Sequence, residues 1–597
     1  PRPVSMRNTC GKCHDYDTMA AGWHFHSGST NVLSGRVGEP WMLTDNRIRT
    51  QIPISNRDWK GTYKPGDVDL NAWKFLKKFS SHFPGGNYGE MAPSEDEEGE
   101  GDEEEVDTSE LFRWEISGKY EINCLACHHA DRKQNQSDSA LQAAKENYRW
   151  AATVGSGLAS VKGTASELED FYDPEFDGQK IITSYDKSRF DSENKVFLDI
   201  VRKPPSNRCY FCHSTQDLQT PGKDEWVHNE DIHMTSGMSC SDCHRNGADH
   251  MISRGDIDPS KNPHDSDGYL KAYDLKKVAS FSCQGCHMGN PGADDLAARM
   301  GGHLGAPVPK HKGIPPVHFE KLSCTACHSG RLPTESTARV RTARMHKLGR
   351  HGPHGRISPQ LPHVITPVFA RMANGKIGPH NMIWPSFWGT QTNGVVKPLA
   401  PNLVREIAPD ELGMEIAEPE RVNDWIELTE KQIGNVLNLI GEYEWEVEEG
   451  DPEPEPVYVA GGRLYSLSNG LVISNKHDAA EPYKWPIAHD VRPAAQSLGS
   501  NGRCADCHDK DSPFIFGQVE VDTPIKPAEK QTVAMTKFGE LDRSYFQMFA
   551  FTFLFRPWLK VVVIISSILL GMVLLLYALK GLDTVIKAAG KKVSSKQ

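Results

Sequence analysis

Apolar side chains are scarce in this chain. Only 38% of its 597 residues are hydrophobic, and the mean hydropathy is −0.54. A polypeptide of this length usually folds as several domains, each around its own apolar core, and this composition leaves little material for such cores. Basic residues are also in deficit, because 67 Lys and Arg face 79 Asp and Glu, giving a formal net charge of −12. That charge argues against a nucleic acid as the partner.

No cysteine is left over for a disulfide or an isolated thiol. All 14 cysteines fall in seven copies of one pentapeptide, C-x-x-C-H, which begin at residues 10, 124, 209, 240, 283, 324 and 504. The cysteine pairs and the histidines that follow them are Cys10, Cys13 and His14; Cys124, Cys127 and His128; Cys209, Cys212 and His213; Cys240, Cys243 and His244; Cys283, Cys286 and His287; Cys324, Cys327 and His328; Cys504, Cys507 and His508.

This pentapeptide is the attachment signal of c-type haem. Two thiols three positions apart form thioethers with the two vinyl groups of one porphyrin, and the adjacent imidazole binds the iron as its proximal ligand. Zinc sites do not require a histidine after the second cysteine in every copy, and disulfides do not require this spacing. A thioredoxin-like redox motif normally occurs once. We therefore predict seven covalently bound haem c groups.

Seven apolar macrocycles would supply the core that the side chains do not provide. The chain also contains 51 Gly and 39 Pro, which favour irregular structure between short elements. The predicted fold class is mainly α with much irregular structure and little sheet. It is a multihaem cytochrome c ectodomain organised around stacked haems, followed by one C-terminal transmembrane helix.

One stretch is strongly apolar, and it lies near the C-terminus. Residues 557–580 include a charge-free run from Val561 to Leu579, which is long enough for one membrane-spanning helix. Pro557 is suited to the first turn of such a helix. Trp558 and Tyr577 stand where interfacial aromatic residues are expected.

The flanks of this stretch suggest its orientation. Residues 541–556 form an aromatic-rich segment that is expected to lie along the outer surface of the membrane. Residues 581–597 form a basic tail, which predicts a cytoplasmic C-terminus. Because c-type haem is attached outside the bacterial cytoplasmic membrane, the haem-binding region is expected to be periplasmic. The expected location is therefore the bacterial cytoplasmic membrane, with a single pass.

The positions of the motifs and of charged runs divide the rest of the chain. Residues 1–93 carry the first motif, and 94–110 form an acidic loop that is expected to be disordered. Residues 111–380 hold the second to sixth motifs and form the predicted central domain. Residues 381–540 hold the seventh motif. Within that part, the prolines of 451–456 predict an extended connector.

The stretch between the sixth and seventh motifs also contains a helix candidate. Residues 424–440 place Ile426, Ile433, Leu437 and Ile440 on one helical face. Apolar residues at this spacing usually pack against a core. We interpret the helix as a packing element without a functional role of its own.

Each haem iron needs a sixth ligand or leaves an open site. Of the 25 histidines, seven belong to motifs and 18 remain, enough to give every iron two imidazoles, an arrangement suited to electron transfer. The candidate distal ligands are His24, His26, His233, His250, His318, His346 and His489. Further candidates are His303, His311, His351, His354, His363 and His380, and the less favoured alternatives are Met234, Met238 and Met288.

Two stretches carry a family resemblance. Residues 231–244 run from Asp-Ile-His into the fourth motif and are followed by Asp-His-Met-Ile at 249–252. This pattern resembles the superfamily of pentahaem nitrite reductases, hydroxylamine oxidoreductases and octahaem tetrathionate reductases. The segment Pro-Pro-Val-His-Phe at 315–319 is similar to the octahaem branch. The resemblance covers residues 205–330 and implies a scaffold of stacked haems.

The resemblance also raises a catalytic alternative. In the nitrite reductases the histidine that matches His233 is an active-site group. This chain departs from their pattern, because it has no C-x-x-C-K motif, the signature of their Lys-ligated catalytic haem, and no cysteine for an eighth site. No tyrosine closely follows the third motif, although one of the 16 tyrosines remains open for the porphyrin crosslink of hydroxylamine oxidoreductases. The resemblance to the scaffold is therefore stronger than the resemblance to the catalytic site.

These observations favour one function and leave a second open. The favoured function is a membrane-anchored heptahaem cytochrome that relays electrons between a quinone-linked membrane complex and periplasmic redox partners. The membrane stretch has no histidine and so cannot hold a b-type haem, which implies a membrane-embedded redox subunit as partner. The chain is then an electron-transfer subunit more than an enzyme. The alternative is a periplasmic reductase or oxidase of a small nitrogen or sulfur oxyanion, with one open haem and His233 as proton donor.

Overall fold

The computed structural model describes most of the chain. The described residues are 2–20, 25, 41–55, 60–79, 115–169, 172–213, 215–217, 231–244, 250, 283–289, 296–342, 362–412, 425–447, 450–526 and 531–594. The predicted acidic loop at 94–110 lies outside these residues, as do five of the candidate ligand histidines, His24, His26, His346, His351 and His354.

Most helices in these ranges are short. In chain order they are α1 (Met6–Thr9), α2 (Tyr16–Ala20), α3 (Ala72–Phe79), α4 (Cys124–His128), α5 (Gln136–Ala144), α6 (Ala151–Gly155), α7 (Ser206–His213), α8 (Ile232–Thr235), α9 (Cys240–Cys243), α10 (Cys283–His287), α11 (Leu296–Arg299), α12 (Pro316–Lys321), α13 (Cys324–His328), α14 (Pro401–Ile407), α15 (Glu430–Glu442), α16 (Ala505–His508), α17 (Pro513–Phe516), α18 (Met535–Phe538) and α19 (Arg543–Ser594).

The strands form two large sheets and three hairpin-like pairs. They are β1 (Trp41–Asp45), β2 (Thr50–Ile54), β3 (Ala159–Lys162), β4 (Ile182–Tyr185), β5 (Thr215–Asp217), β6 (Ala338–Thr342), β7 (Val364–Arg371), β8 (Ile377–Ile383), β9 (Phe387–Thr392), β10 (Val395–Pro398), β11 (Glu455–Ala460), β12 (Arg463–Ser468), β13 (Leu471–Asn475), β14 (Tyr483–Pro486), β15 (Gln518–Glu520) and β16 (Thr532–Ala534).

Each large sheet has five antiparallel strands. One has the order β10-β9-β11-β12-β13, and the other has the order β14-β8-β7-β6-β5. The residues from Val364 to Ala370 in β7 are all buried, as expected for a strand covered on both faces and rich in β-branched and aromatic residues. The expectation of little sheet is therefore wrong for the stretch between the sixth and seventh motifs. There, ordinary apolar side chains form the core.

Helix α15 covers one face of the first sheet. Its residues Ile433, Leu437 and Ile440 are fully buried against that sheet, as the sequence pattern predicted. The helix begins later than predicted, because Thr429 caps it by accepting a hydrogen bond from the backbone N–H of Gln432 at 3.3 Å. The predicted connector at 451–456 is also shorter, since its last two residues already belong to β11.

The second sheet leads directly to the seventh motif and the long C-terminal helix. Its buried residues, Phe369 among them, pack with Phe514 of α17 and Met535 of α18. Cys507 of the last motif and Phe546 of α19 are partly buried against the same cluster. This core therefore fixes the seventh motif next to the start of α19.

Helix α19 is continuous from Arg543 to Ser594. The stretch Phe555–Lys591 is a candidate membrane span, because its most apolar window has a mean hydropathy of 2.8 and none of that window is buried. Most of the aromatic-rich segment at 541–556 forms the first turns of the same helix, and its position along the membrane surface stays a prediction. Pro557 lies inside the helix and not in its first turn.

Candidate functional site

Most of the motifs lie on a single turn of helix. Helices α4, α10 and α13 run from the first cysteine of a motif to its histidine. Local caps set these starts: the Ser323 hydroxyl accepts a hydrogen bond from the Ala326 N–H at 3.2 Å, and the Ser239 N–H donates to Asp242 at 2.7 Å before the fourth motif. In one helical turn, positions i, i+3 and i+4 share a face, so both cysteines and the histidine project to one side.

Five motif histidines each face a second histidine from another segment. The ring centroids are 6.0 Å apart for His128 and His250, 5.9 Å for His244 and His489, 6.2 Å for His287 and His233, 6.4 Å for His328 and His311, and 5.9 Å for His508 and His318. Every pair combines one motif histidine with one histidine outside the motifs.

This spacing fits two imidazoles on opposite sides of one metal ion. An imidazole nitrogen binds a metal at about 2 Å, and the ring centroid lies roughly 1 Å behind it, so the two centroids should be about 6 Å apart. Ordinary ring contacts also span such distances. The repetition distinguishes the two cases, because all five distances lie between 5.9 and 6.4 Å and always include a motif histidine.

The Nδ1 atoms of four of these histidines are engaged by backbone carbonyls. The contacts are His128 with Val201 at 2.8 Å, His287 with Pro307 at 2.8 Å, His328 with Arg492 at 3.2 Å and His318 with Pro315 at 3.2 Å. A histidine that donates from Nδ1 to a carbonyl carries its lone pair on Nε2. This is the orientation that metal-binding histidines adopt in proteins.

The protonation of two motif histidines also suits metal binding. Burial lowers the pKa of His328, and the nearby His311 and His287 lower it further against a raising contribution from the Arg492 carbonyl. Burial likewise lowers the pKa of His508, with further contributions from His318 and Arg556. Both rings are therefore held neutral, and the neutral imidazole is the form that binds a metal.

Unpaired polar atoms surround the second motif. Both amide atoms of Asn123, the Nε2 of His129 and the Nε of Arg208 are buried and lack a hydrogen-bond partner among the described residues. The side chain of His129 is fully buried, and its Nδ1 is bonded to Gln134 at 2.9 Å. Buried polar groups in proteins nearly always have partners. Haem carries two propionate groups, which are suitable acceptors for the Asn123 amide nitrogen and the Arg208 Nε.

The first three motifs are neighbours in space. The Cys124 thiol of the second motif donates a hydrogen bond to Cys10 of the first, and this bond lowers the pKa of Cys10 to about 7. Arg208, which precedes the third motif, donates to the carbonyl of Asp131 at 2.8 Å, just after the second motif. The second motif therefore lies between the first and the third.

The series continues to the fifth motif. The backbone N–H of Cys240, which begins the fourth motif, donates to the Ser206 hydroxyl of α7 at 3.3 Å. Burial raises the pKa of Cys283 in the fifth motif to about 12, and Cys324 and Cys243 lie close enough to raise it further. The fourth, fifth and sixth motifs are therefore adjacent.

The last two motifs are also adjacent. Burial raises the pKa of Cys507 to about 12, and the next contribution comes from Cys327 of the sixth motif. The N–H of Leu498, in the loop before the seventh motif, donates to the Cys327 carbonyl at 3.0 Å. All seven motifs thus form one series in which neighbours in sequence order are neighbours in space.

The seventh motif lies against helix α19. The ring of His508 is 5.0 Å from that of Phe549 and 5.4 Å from that of Phe553, with which it is nearly parallel at 8°. The Arg556 guanidinium lies 3.5 Å from the Phe553 ring centroid on the same helix. The apolar run that begins at Val561 follows two turns later, at about 1.5 Å of rise per residue.

The structure shows which of the ligand candidates named from the sequence lie beside a motif histidine. His233, His250, His318 and His489 each lie beside a motif histidine. His24, His26 and His346 fall outside the described residues. From the sequence, His311 is only one of the further ligand candidates. Its position is nevertheless similar to that of His489, because His311 lies thirteen residues before Cys324 and His489 lies fifteen residues before Cys504.

Two other reserve histidines belong to the sheet core. His363 is buried and its Nδ1 is 3.2 Å from Asp522, which also accepts from the indole N–H of Trp425 at 3.1 Å. The Nδ1 of His380 is bonded to the Gly378 carbonyl at 2.9 Å, within β8. Their environments account for them as structural residues of the sheet.

Ten of the described histidines form the five pairs. No group of three or more His, Cys, Asp or Glu within the part of the chain that the structure describes is arranged to hold a bare metal ion. A porphyrin contributes its own nitrogen ligands, so that two histidines complete the coordination of its iron. No family model, curated protein or solved structure matches this chain. The geometry of these pairs is thus the basis for assigning a function.

Proposed function

We propose that this chain is a membrane-anchored c-type cytochrome that carries seven haems and relays electrons between a quinone-linked membrane partner and a periplasmic redox partner. The observation that carries the proposal is the set of five histidine pairs, in each of which a motif histidine faces a second imidazole at 5.9 to 6.4 Å. The order of the motifs in space and the position of the last one against α19 support it further.

The residues of the chain would hold the haems in place and surround them with protein. Bound haem supplies the one-electron chemistry. The paired cysteines would attach the group and the two imidazoles would bind its iron, so that no ligand would need to be gained or lost when the oxidation state changes. The carbonyls bonded to Nδ1 orient four of these rings, and each ring therefore holds its position through a redox cycle.

The order of the motifs in space supports an electron relay and argues against isolated haem sites. Contacts link Cys10 with Cys124, Cys243 with Cys283, and Cys327 with Cys507, which belong to neighbouring motifs. Groups attached at such motifs would lie side by side. Electrons then have a route from the N-terminal part of the chain to the membrane helix.

The membrane end of this route is the pair of His318 and His508. Phe549 and Phe553 of α19 contact His508 from the turns that precede the apolar run. The run from Val561 to Leu579 has no histidine or cysteine, so the chain itself cannot continue the route through the bilayer. A membrane-embedded, quinone-linked subunit is therefore the proposed partner at this end, and a periplasmic carrier is the proposed partner at the other.

The position of His233 bears on the enzymatic alternative. That alternative uses His233 as a proton donor beside an open haem. In the structure the His233 ring lies 6.2 Å from that of His287, the spacing shared by the other pairs. This position supports a role for His233 as an iron ligand and not as a proton donor.

Native membranes that contain the full chain test the proposal. Addition of a reduced quinol should reduce its c-type haems, as followed by their absorption bands, and an inhibitor of the quinol-oxidising partner should block this reduction. Electron paramagnetic resonance of the purified full chain should show only low-spin ferric haem, unchanged by nitrite, hydroxylamine or cyanide. Haems that respond to dithionite but not to quinol contradict the relay. A high-spin signal that shifts with nitrite or hydroxylamine supports the enzyme.

A further inference from the structure

Asp231 connects two neighbouring histidine pairs. One of its carboxylate oxygens accepts from the His233 backbone N–H at 2.9 Å and lies 3.1 Å from the His233 Nδ1. The other accepts from the backbone N–H of Val491 at 2.8 Å, two residues after His489. Asp231 is only 5% exposed. It therefore contacts the ring that faces His287 and the loop whose histidine faces His244.

The partner of the His233 ring differs in kind from those of four other paired histidines. The Nδ1 atoms of His128, His287, His328 and His318 contact neutral backbone carbonyls. The Nδ1 of His233 contacts a carboxylate. An aspartate carboxylate accepts hydrogen bonds as an anion at neutral pH, whereas a backbone carbonyl is uncharged.

We propose that Asp231 is a positioning residue that strengthens His233 as an axial ligand and thereby lowers the reduction potential of the haem attached at Cys283 and Cys286. This inference rests on the proposed function, since it requires that a haem is bound between His233 and His287. A carboxylate that accepts from Nδ1 raises the basicity of the imidazole and fixes its orientation. A more basic ligand and a nearby negative charge both stabilise ferric over ferrous iron.

A helix-capping role alone would not require this arrangement. Asp231 is the N-cap of α8, and a cap needs only an acceptor for a backbone N–H in the first turn. The additional contact with the ring of His233 extends beyond capping. Serine and asparagine are also good N-cap residues, so Asp231→Asn and Asp231→Ser preserve the cap and remove the charge.

Asp242 provides a matched control. Its carboxylate caps the next helix by accepting from Ser239 at 2.7 Å, and it forms an ion pair with Lys203 at 2.7 Å. Asp242 stands between the two cysteines of the fourth motif, so Asp242→Asn removes the same charge from a capping carboxylate and leaves the haem-attaching cysteines and histidine unchanged. This carboxylate is partly exposed and paired with a lysine. Its removal should therefore change the equilibrium constant of any haem reduction step by less than about threefold.

The experiment is a spectroelectrochemical titration of the full holo chain, with electron paramagnetic resonance at each step. In Asp231→Asn, the reduction potential of one of the one-electron steps should rise by at least about 59 mV, which corresponds to a tenfold change in its equilibrium constant. The low-spin ferric signal of one haem should change with it. The same step should move in Asp231→Ser, whereas Asp242→Asn should leave it in place.

The outcomes separate this inference from the proposed function. If the wild-type chain lacks haem or shows an open high-spin site at this motif, the proposed function is at fault. If the Asp231 variants retain every haem and all steps stay within the range of Asp242→Asn, the tuning role is overturned. Should one Asp231 variant lose haem, the other still gives the comparison, and loss of that single haem in both would make Asp231 a structural residue only.

Discussion

The imidazole ring of His508 lies parallel to the ring of Phe553, with an interplanar angle of 8° and a centroid distance of 5.4 Å. His508 belongs to the seventh motif, and Phe553 belongs to the helix that is long and apolar enough to span a membrane. Arg556 lies on the same ring, 3.5 Å from its centroid. The contact therefore fixes the last histidine pair beside the helix that contains the candidate membrane span.

Replacing Phe553 should loosen this junction without unfolding either part. Aromatic contacts of this kind contribute about 1 kcal/mol beyond their buried area. In Phe553→Leu, the amides of Ala505–His508 should therefore exchange with solvent about fivefold faster than in the wild-type chain. Hydrogen exchange with mass spectrometry measures this rate. Phe551→Leu is the control, because that side chain is 55% exposed and should leave the exchange rate unchanged; equal effects of both variants would contradict the account.

The pairing of His328 with His311 predicts a spin-state change. In His311→Ala the iron at the sixth motif should lose its distal ligand and become high-spin, because no other described histidine faces His328 at a similar distance. Electron paramagnetic resonance should then show one high-spin ferric haem that binds cyanide. His477→Ala removes a histidine whose Nε2 makes an exposed contact with the Gly394 carbonyl at 3.2 Å, and it should leave every haem low-spin. A wholly low-spin His311→Ala protein would show that the pair is only a ring contact.

The buried His380 predicts a pH dependence of stability for the sheet between the sixth and seventh motifs. Burial lowers the pKa of His380 from 6.5 to about 4. Below pH 6.5 the unfolded chain takes up a proton at this residue, while the folded chain does so only near pH 4. The free energy of unfolding should therefore fall as the pH drops through this window, by at most about 3 kcal/mol, and no further below it.

The measurement compares the wild-type chain with His380→Gln at several pH values. The difference in their unfolding temperatures, determined by calorimetry, should shrink as the pH falls from 7 to about 4. His477→Gln is the control, since His477 makes an exposed contact with the Gly394 carbonyl at the surface. A pH-independent difference for His380→Gln would mean that the residue titrates alike in the folded and unfolded chains.

The motifs were predictable from sequence because they are local. Two cysteines and a histidine within five residues define each site, and a single helical turn brings them to one face. The pairing of histidines was not predictable in the same way. His244 and His489 are 245 positions apart in the sequence, and only the folded chain brings their rings to 5.9 Å. The sequence identifies His489 as a candidate ligand, but it does not identify the motif histidine that His489 faces.

The sheets were missed for a related reason. The scarcity of apolar residues pointed to a core made of haem, yet the run Val364–Arg371 has the length and composition of a fully buried strand. Local rules also explain the helix boundaries that differed. Thr429 and Gln432 have the spacing of a capping box and place the start of α15 there, later than the apolar pattern alone suggested.

Pro557 does not mark the start of the C-terminal helix. Pro557 was expected to begin the membrane helix, but the residues before it continue the same helix. The stacking of Tyr545 on Phe549, at 10°, and of Phe553 on His508 accounts for the order of that segment. Because His508 comes from another part of the chain, this support could not be read from the local sequence. The resemblance to the nitrite reductase superfamily stays a prediction.

The most direct test of the central claim is a map of the iron positions in the full-length holo chain. The account predicts seven irons in the order of the motifs, with one iron between the rings of each of the five described pairs. It also predicts that the iron nearest the membrane lies between His318 and His508. An absence of iron between any of these pairs, or an iron there that is bound by a single histidine, would contradict the account.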